Sequence, residues 1–181
     1  YAVKRAIEDN NVRLTVVQNY RYVPSIRKAR EIVSQGLIGN VISVCGVAHT
    51  PWPNQWTRGT WLYNKQGVLL DFAPHLVDAI LWIVNSKPRK VYAEGGDFTG
   101  CCGFINYAQA SILFGNRIVG TIDVSWLTGA PRFSISLTGT SGRLEIDPGR
   151  DTLFKSHGVY TPVDDVRFFL ERIKIVKDII T

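Results

Sequence analysis

The feature that most constrains the fold is an alternation of apolar and polar residues in the second half of the chain. It runs through residues 117–127, 132–138 and 143–147. Because successive side chains of a β-strand point to opposite faces, this period of two predicts strands with one buried and one more polar face. Turn residues at 115–116 and 139–142 separate these segments and predict hairpins. The apolar side of the first segment consists of Ile118, Gly120, Ile122, Val124 and Trp126.

The other elements are predicted from different periodicities. Residues 1–11 read as the tail of a linking helix, and the helix over residues 24–35 is expected to stop at Gly36. Residues 164–180 predict an amphipathic C-terminal helix. The nearly continuous apolar run at 13–18 predicts a buried strand. A further helix is predicted near residues 70–84 and a further strand at 41–49.

Helices cluster early and strands cluster late, without a repeating βαβ rhythm. This order excludes a doubly wound nucleotide-binding fold within the sequence, which also lacks a glycine-rich phosphate loop. The predicted class is α+β: an open, mostly antiparallel sheet with helices packed on one face. Residues 1–181 are expected to form a single domain.

One stretch, residues 67–82, carries the candidate chemistry. As a helix, it places Asp71, His75, Asp78 and Trp82 on one stripe, because they are spaced by four, three and four residues. Apolar residues cover nearly all of the remaining surface. A carboxylate one turn from an imidazole can fix its tautomer and raise its basicity, so Asp71 and His75 are a candidate pair for proton transfer.

Three structural alternatives to this interpretation stay open at the level of the sequence. Asp71 could be the helix N-cap, because Pro74 sits most easily in a first turn. His75 could be a core histidine hydrogen-bonded to the backbone. The pair could also hold half of a metal site, although no Cys/His spacing in the chain suggests zinc.

Composition narrows the classes of partner and compartment. The formal charge is +6, but the basic residues are scattered among apolar positions of predicted helices, which disfavours nucleic-acid binding. No apolar run reaches membrane-spanning length. The three cysteines are an odd number and two are adjacent, which favours a reducing, cytoplasmic setting. The aromatic segment at residues 50–66 predicts a packed loop that either walls a ligand site or caps the core.

Four segments, in this order, resemble the C-terminal domain of the glucose–fructose oxidoreductase, inositol dehydrogenase and rhizopine-catabolism (Gfo/Idh/MocA) family. They are 19–24 (NYRYVP), 35–39 (QGLIG), 67–78 (GVLLDFAPHLVD) and 139–144 (GTSGRL). The third resembles the family segment that carries an acid–base pair. The resemblance therefore implies a dihydrodipicolinate-reductase-like C-terminal domain, whose N-terminal Rossmann domain is missing from this sequence.

The resemblance also implies an activity: an NAD(P)-dependent oxidoreductase acting on a sugar, a cyclitol or a related alcohol or carbonyl compound. His75 would be the catalytic acid or base, and Asp71 would orient the substrate and the imidazole. Arg21, Arg58 and Trp61 would contact the small-molecule substrate. NAD or NADP would be bound mainly by the missing Rossmann domain, so this chain alone is expected to be inactive.

Two further implications concern the whole protein. The polar face of the open sheet would join subunits in a homo-oligomer, without a membrane or nucleic-acid partner. The family's Glu-Lys-Pro motif, whose lysine assists proton transfer, is absent from the sequence. A non-catalytic sheet domain that dimerises or binds a small ligand is the alternative function.

Overall fold

The computed structural model describes residues 2–51, 65–100 and 102–157. Within them, seven strands form one sheet in the order β2-β3-β4-β1-β5-β6-β7. Only the central pair, β1 and β4, is parallel, and every other neighbouring pair is antiparallel. The strands are β1 (Val41–Pro51), β2 (Pro88–Gly96), β3 (Tyr107–Phe114), β4 (Val119–Ser125), β5 (Leu127–Gly139), β6 (Gly142–Asp147) and β7 (Thr152–His157).

Four α-helices and one short 3-10 helix accompany the sheet in the described residues. Three of the α-helices pack on the sheet: α4 lies on β1 and β4, α3 lies on β3 and β4, and α2 lies on β6, β7 and α4. The helices are α1 (Ala2–Asn10), the 3-10 helix (Asn19–Tyr22), α2 (Pro24–Ser34), α3 (Val68–Asp71) and α4 (Ala73–Val84). None of them has the length and apolarity that crossing a bilayer requires. The predicted helix at 164–180 lies outside the described residues.

The two faces of the sheet differ as the alternation predicts. On β4 the side chains of Ile122 and Val124 are buried under the helices, while those of Thr121 and Asp123, which alternate with them, stay partly exposed. The same alternation places apolar side chains of β5 and β6 in the core, namely Phe133, Ile135, Leu137, Leu144 and Ile146. The α+β class and the open, mostly antiparallel sheet are therefore confirmed.

The predicted strand at residues 13–18 is wrong. These residues form no regular element, and none of the seven strands pairs with them. Their apolar side chains are exposed, with Val16 at 69% and Val17 at 74% of full exposure. A strand requires a neighbouring backbone to satisfy its N–H and C=O groups, and no other strand in the described residues lies beside this segment.

The predicted helix near residues 70–84 begins earlier than expected and is interrupted. It starts at Val68, after Gly67, and Phe72 separates α3 from α4 while keeping right-handed helical angles. Asp71 is the last residue of α3, so the N-cap interpretation is wrong. Asn85, in a left-handed conformation, ends α4.

Candidate active site

Asp78, the third residue of the polar stripe, stabilises the fold. Both oxygens of Asp78 on α4 accept hydrogen bonds from the guanidinium of Arg21 in the 3-10 helix, with the Nε bond at 2.7 Å. The Asp78 side chain is only 15% exposed. Such a two-point pair holds the 3-10 helix at one position along α4. Arg21, predicted to contact substrate, thus has its charge balanced within the fold.

Trp82, the last member of the stripe, also has a packing role. The guanidinium carbon of Arg30 on α2 lies 4.2 Å from the centre of the Trp82 ring. A cation over an aromatic face is attracted to the electron density of the ring. The contact joins α2 to α4, so this end of the stripe serves helix packing.

Asp71 has a different environment. Its partial burial raises the pKa of the carboxyl group, while the neighbouring indole of Trp126 and the charge of His75 act in the opposite direction. Burial is the largest of these effects, because it removes water that stabilises the carboxylate. Asp71 therefore lies close enough to His75 for the two groups to interact electrostatically.

His75 packs against an aromatic group. Its ring centre lies 5.3 Å from that of Tyr20, with the two rings tilted by 50°, and Tyr20 in turn stacks on Phe133 at 4.5 Å. Its Nδ1 is buried and has no hydrogen-bond partner among the described residues. Burial and the charge of Asp71 both raise the pKa of Tyr20, which places that phenol beside the pair.

A cavity of about 690 Å³ lies next to the pair. One wall of the cavity is aromatic and consists of Tyr20, Phe72 and Phe133. Phe72 directly follows Asp71 in the chain. The rest of its lining mixes small apolar residues with polar ones, among them His49, Arg132, Asp147 and Arg150. Neither Asp71 nor His75 is part of the lining: Tyr20, which packs against the ring of His75, and Phe72, which follows Asp71, are the lining residues next to them.

A second cavity, of about 430 Å³, lies between α4 and the strands β2 to β4. Its lining is almost entirely apolar, with Glu94 as its only ionisable side chain among the described residues. Proton transfer and recognition of hydroxyl groups need polar atoms, which the larger cavity offers. The larger cavity is therefore the candidate binding site.

The structure brings together part of the predicted site. Asp71 lies close enough to His75 to feel its charge, whereas Arg21 lies on Asp78 instead of on the cavity. Arg58 and Trp61 lie outside the described residues. The described residues contain no cluster of three or more His, Cys, Asp or Glu side chains suited to a metal ion.

Sequence reasoning missed two groups around the pair: Tyr20 and Trp126. Trp126 was assigned to the buried side of its strand, and nothing in the alternation indicates that it meets Asp71. Tyr20 was noted only as part of a segment. Each of them reaches the site through contacts between elements distant in the sequence.

The raised pKa of Asp71 makes a prediction about stability. A carboxyl group with a raised pKa binds its proton more tightly in the folded state, so its contribution to folding becomes unfavourable as the pH rises from the unfolded to the folded pKa. The free energy of unfolding of Asp71→Asn should therefore be up to about 1 kcal/mol higher than that of the native chain at neutral pH. Near pH ~3.5, below the pKa of the carboxyl group in the unfolded state, the two proteins should not differ.

Urea denaturation of the native chain and the Asn variant at both pH values measures this difference. The amide is close to the carboxyl group in size and shape, so the comparison isolates the charge. A variant that is less stable at neutral pH would show that the carboxylate is favourably solvated or paired in the folded state.

An open mixed sheet with helices on one face, and an aspartate–histidine pair beside a cavity at its end, defines an α+β domain of the oxidoreductase C-terminal type. A family model, described as the GFO/IDH/MocA C-terminal domain, matches residues 26–145. The chain belongs to this family.

Curated relatives are similar over part or most of the chain. The YrbE protein of Bacillus subtilis, named an uncharacterized oxidoreductase, is 27% identical over 177 residues, which cover 93% of this chain and 51% of that protein. Levoglucosan dehydrogenase of Pseudarthrobacter phenanthrenivorans is 30% identical over 91 residues, covering 46% of this chain and 23% of that enzyme. The chain thus spans about half the length of these relatives, or less.

Solved structures share the fold. Levoglucosan dehydrogenase in complex with NADH and L-sorbose superposes with a TM-score of 0.76 at 21% identity, over 89% of this chain and 47% of that one. An inositol dehydrogenase homologue from Azotobacter vinelandii, in complex with NADH and myo-inositol, gives 0.78 at 15% identity, over 88% and 44%. At these identities the likeness supports the architecture.

Proposed function

We propose that this chain is the substrate-binding half of an NAD(P)-dependent oxidoreductase that acts on a hydroxyl-bearing carbon of a sugar, a cyclitol or a related compound. The observation that carries the proposal is the pairing of Asp71 with His75 beside a polar cavity with an aromatic wall. Neighbours solved with NADH and a sugar or cyclitol support the choice of substrate class and cofactor.

His75 is the proposed general acid–base. In the direction of oxidation, the imidazole takes the proton of the substrate hydroxyl, and in reduction it returns it, an exchange that requires Tyr20 to move aside from between the ring and the cavity. The adjacent carboxylate of Asp71 stabilises the imidazolium formed on proton uptake. Tyr20 packs against the ring and limits its rotation. The two residues therefore supply proton transfer and orientation.

The nucleotide supplies the complementary step, because nicotinamide accepts or donates the hydride. The sequence contains no glycine-rich loop that could hold its phosphates. We therefore assign nucleotide binding to an N-terminal Rossmann domain, outside these residues, in a cytoplasmic enzyme. The contribution of this chain is restricted to substrate binding and proton transfer.

The open face of the sheet is the proposed subunit interface. It carries short polar side chains in its centre, including Cys45, Thr121, Ser134 and Ser136. A broad face with few charged groups can pack against a second copy without leaving charges buried and unpaired. Sedimentation of the native protein tests this assignment.

The activity is tested by incubating the native protein with NAD or NADP and a panel of hexoses, anhydrosugars and cyclitols. Absorbance of the reduced nicotinamide reports oxidation. We expect turnover with at least one polyhydroxylated substrate and none with simple aliphatic alcohols, which cannot span the cavity. Binding of polyols without any nucleotide-dependent turnover would instead support the non-catalytic alternative.

A further inference from the structure

We propose that Tyr20 is a gate between the imidazole of His75 and the cavity, closed in this structure, and that it opens when the 3-10 helix shifts away from α4. The inference rests on the proposed function, because an acid–base that exchanges protons with a substrate needs such access. It makes Tyr20 a positioning residue for the reaction, and it makes the pair of Arg21 with Asp78 the contact that keeps the gate closed.

The position of the Tyr20 ring is the first observation. Tyr20 lines the cavity, and its ring centre lies 5.3 Å from that of His75, which does not line it. The ring also stacks on Phe133 at 4.5 Å, with the two planes only 11° apart. The phenol therefore shields the imidazole from the cavity and covers one face of Phe133. A substrate ring that reaches the imidazole must take the place that Tyr20 occupies.

The imidazole of His75 is the second observation. Its Nδ1 is buried and has no hydrogen-bond partner among the described residues. A buried polar atom without a partner costs free energy, so the closed arrangement does not satisfy this ring fully. Tyr20 packs directly on the ring, and its movement opens a path by which water or a substrate hydroxyl reaches the imidazole.

The weak attachment of the segment that carries Tyr20 is the third observation. The 3-10 helix has four residues, and two long backbone bonds of 3.2 Å support it, from Arg21 N–H to Gln18 and from Val23 N–H to Tyr20. Residues 11–17, which precede it, are exposed and pair with no strand of the described sheet. A segment with so few buried contacts on one side is of the kind that opens locally at low free energy.

The pair of Arg21 with Asp78 holds this segment against α4. Arg21 follows Tyr20 in the chain, and two nitrogens of its guanidinium donate to the carboxylate of Asp78, three residues after His75. The Arg21 side chain is 42% exposed, so its charge can return to water when the helix shifts. The contact therefore fixes the closed position without making it permanent.

Acylation of histidine by diethyl pyrocarbonate tests the gate without relying on turnover. Peptide mass spectrometry gives the rate at each of the three histidines of the native protein, at pH ~8, where an ordinary imidazole is neutral. His49, which already lines the cavity, and His157 in β7 are the internal references. In Tyr20→Ala we expect His75 to react about tenfold or more faster than in the native protein, with both references within about twofold.

Two further variants separate the ring from its attachment. Tyr20→Phe keeps the ring and removes only the hydroxyl, so the rate at His75 should stay within about twofold of the native value. Asp78→Asn keeps the shape of the side chain but removes the charge that holds Arg21, and it should raise the rate at His75 by about 3- to 30-fold. Circular dichroism verifies that each variant is folded, and Asp78→Asn carries the test if Tyr20→Ala is not.

The outcomes separate the gate from the proposed function. Equal rates at His75 in the native protein and in the folded variants overturn the gate and leave the oxidoreductase standing. A similar rise at all three histidines indicates general loosening of the fold and also overturns the gate. A rise confined to His75, in a protein without nucleotide-dependent turnover of any polyol, retains the shielding by Tyr20 and overturns the enzymatic function.

Discussion

Replacing His75 by alanine should lower kcat of the native protein by about 100-fold or more while leaving the Kd of the nucleotide within about twofold. General acid–base catalysis by a positioned side chain contributes about 10²- to 10⁴-fold, and Asp71→Ala should give a smaller loss because the imidazole would remain. Steady-state kinetics with the best polyol, together with nucleotide titration by fluorescence, measures both quantities.

The chain offers a matched control for this substitution. His157 is in β7, an edge strand of the sheet, whereas α4 lies on the central strands. His157→Ala should therefore leave kcat unchanged. An unaltered kcat in His75→Ala would remove the acid–base assignment, and an equal loss of nucleotide binding would indicate a structural role.

Gly67→Ala should lower the free energy of unfolding by about 3 kcal/mol or more and the melting temperature by roughly 6–12 °C. Gly67 has φ of 41°, which L-residues rarely adopt, and a Cβ built there would lie 2.2 Å from the carbonyl oxygen of Ile105. That oxygen cannot easily retreat, because it accepts a 2.9 Å hydrogen bond from Val68 N–H. Thermal unfolding followed by circular dichroism measures the loss.

Gly36→Ala separates the conformational strain of a positive φ from the steric clash of the added Cβ. Gly36 also has positive φ, at 68°, but nothing lies within 4 Å of an added Cβ. It should therefore cost only the conformational strain, about 1 kcal/mol. If the two variants lose the same stability, the close approach of Ile105 to Gly67 is not a constraint. A relaxed backbone at residue 67 would also displace Asp71, four residues further along, so kcat should fall with stability.

The fold was largely predictable because its strands obey a simple period. Alternation along β4 indicates which side chains are buried, and that depends only on the pleat of a single strand. The candidate pair was predictable for a similar reason, since Asp71 and His75 are one helical turn apart. The alternation could not give the strand order, in which β1 lies between β4 and β5.

The failures arose where a segment needs a distant partner. Residues 13–18 have the composition of a buried strand, yet no strand of the described sheet pairs with them. Asp71 looked like an N-cap because Pro74 follows it, whereas the backbone of Gly67 and Ile105 starts the helix at Val68. Neither the missing strand partner of residues 13–18 nor the contact of Gly67 with Ile105 leaves a local signal in the sequence.

The sequence by itself determined which faces of β4, β5 and β6 are buried, the helix at 24–34, a helix near residues 70–84, and the spacing of Asp71 and His75. Only the tertiary structure decided that Arg21 pairs with Asp78, 57 residues away, and that Tyr20 contacts both the imidazole of His75 and the ring of Phe133. The physical reason is that the periodicity of a segment indicates only which side chains of that one helix or strand are removed from water. A cavity depends on which elements the chain brings together, and contacts between residues far apart in the sequence settle that.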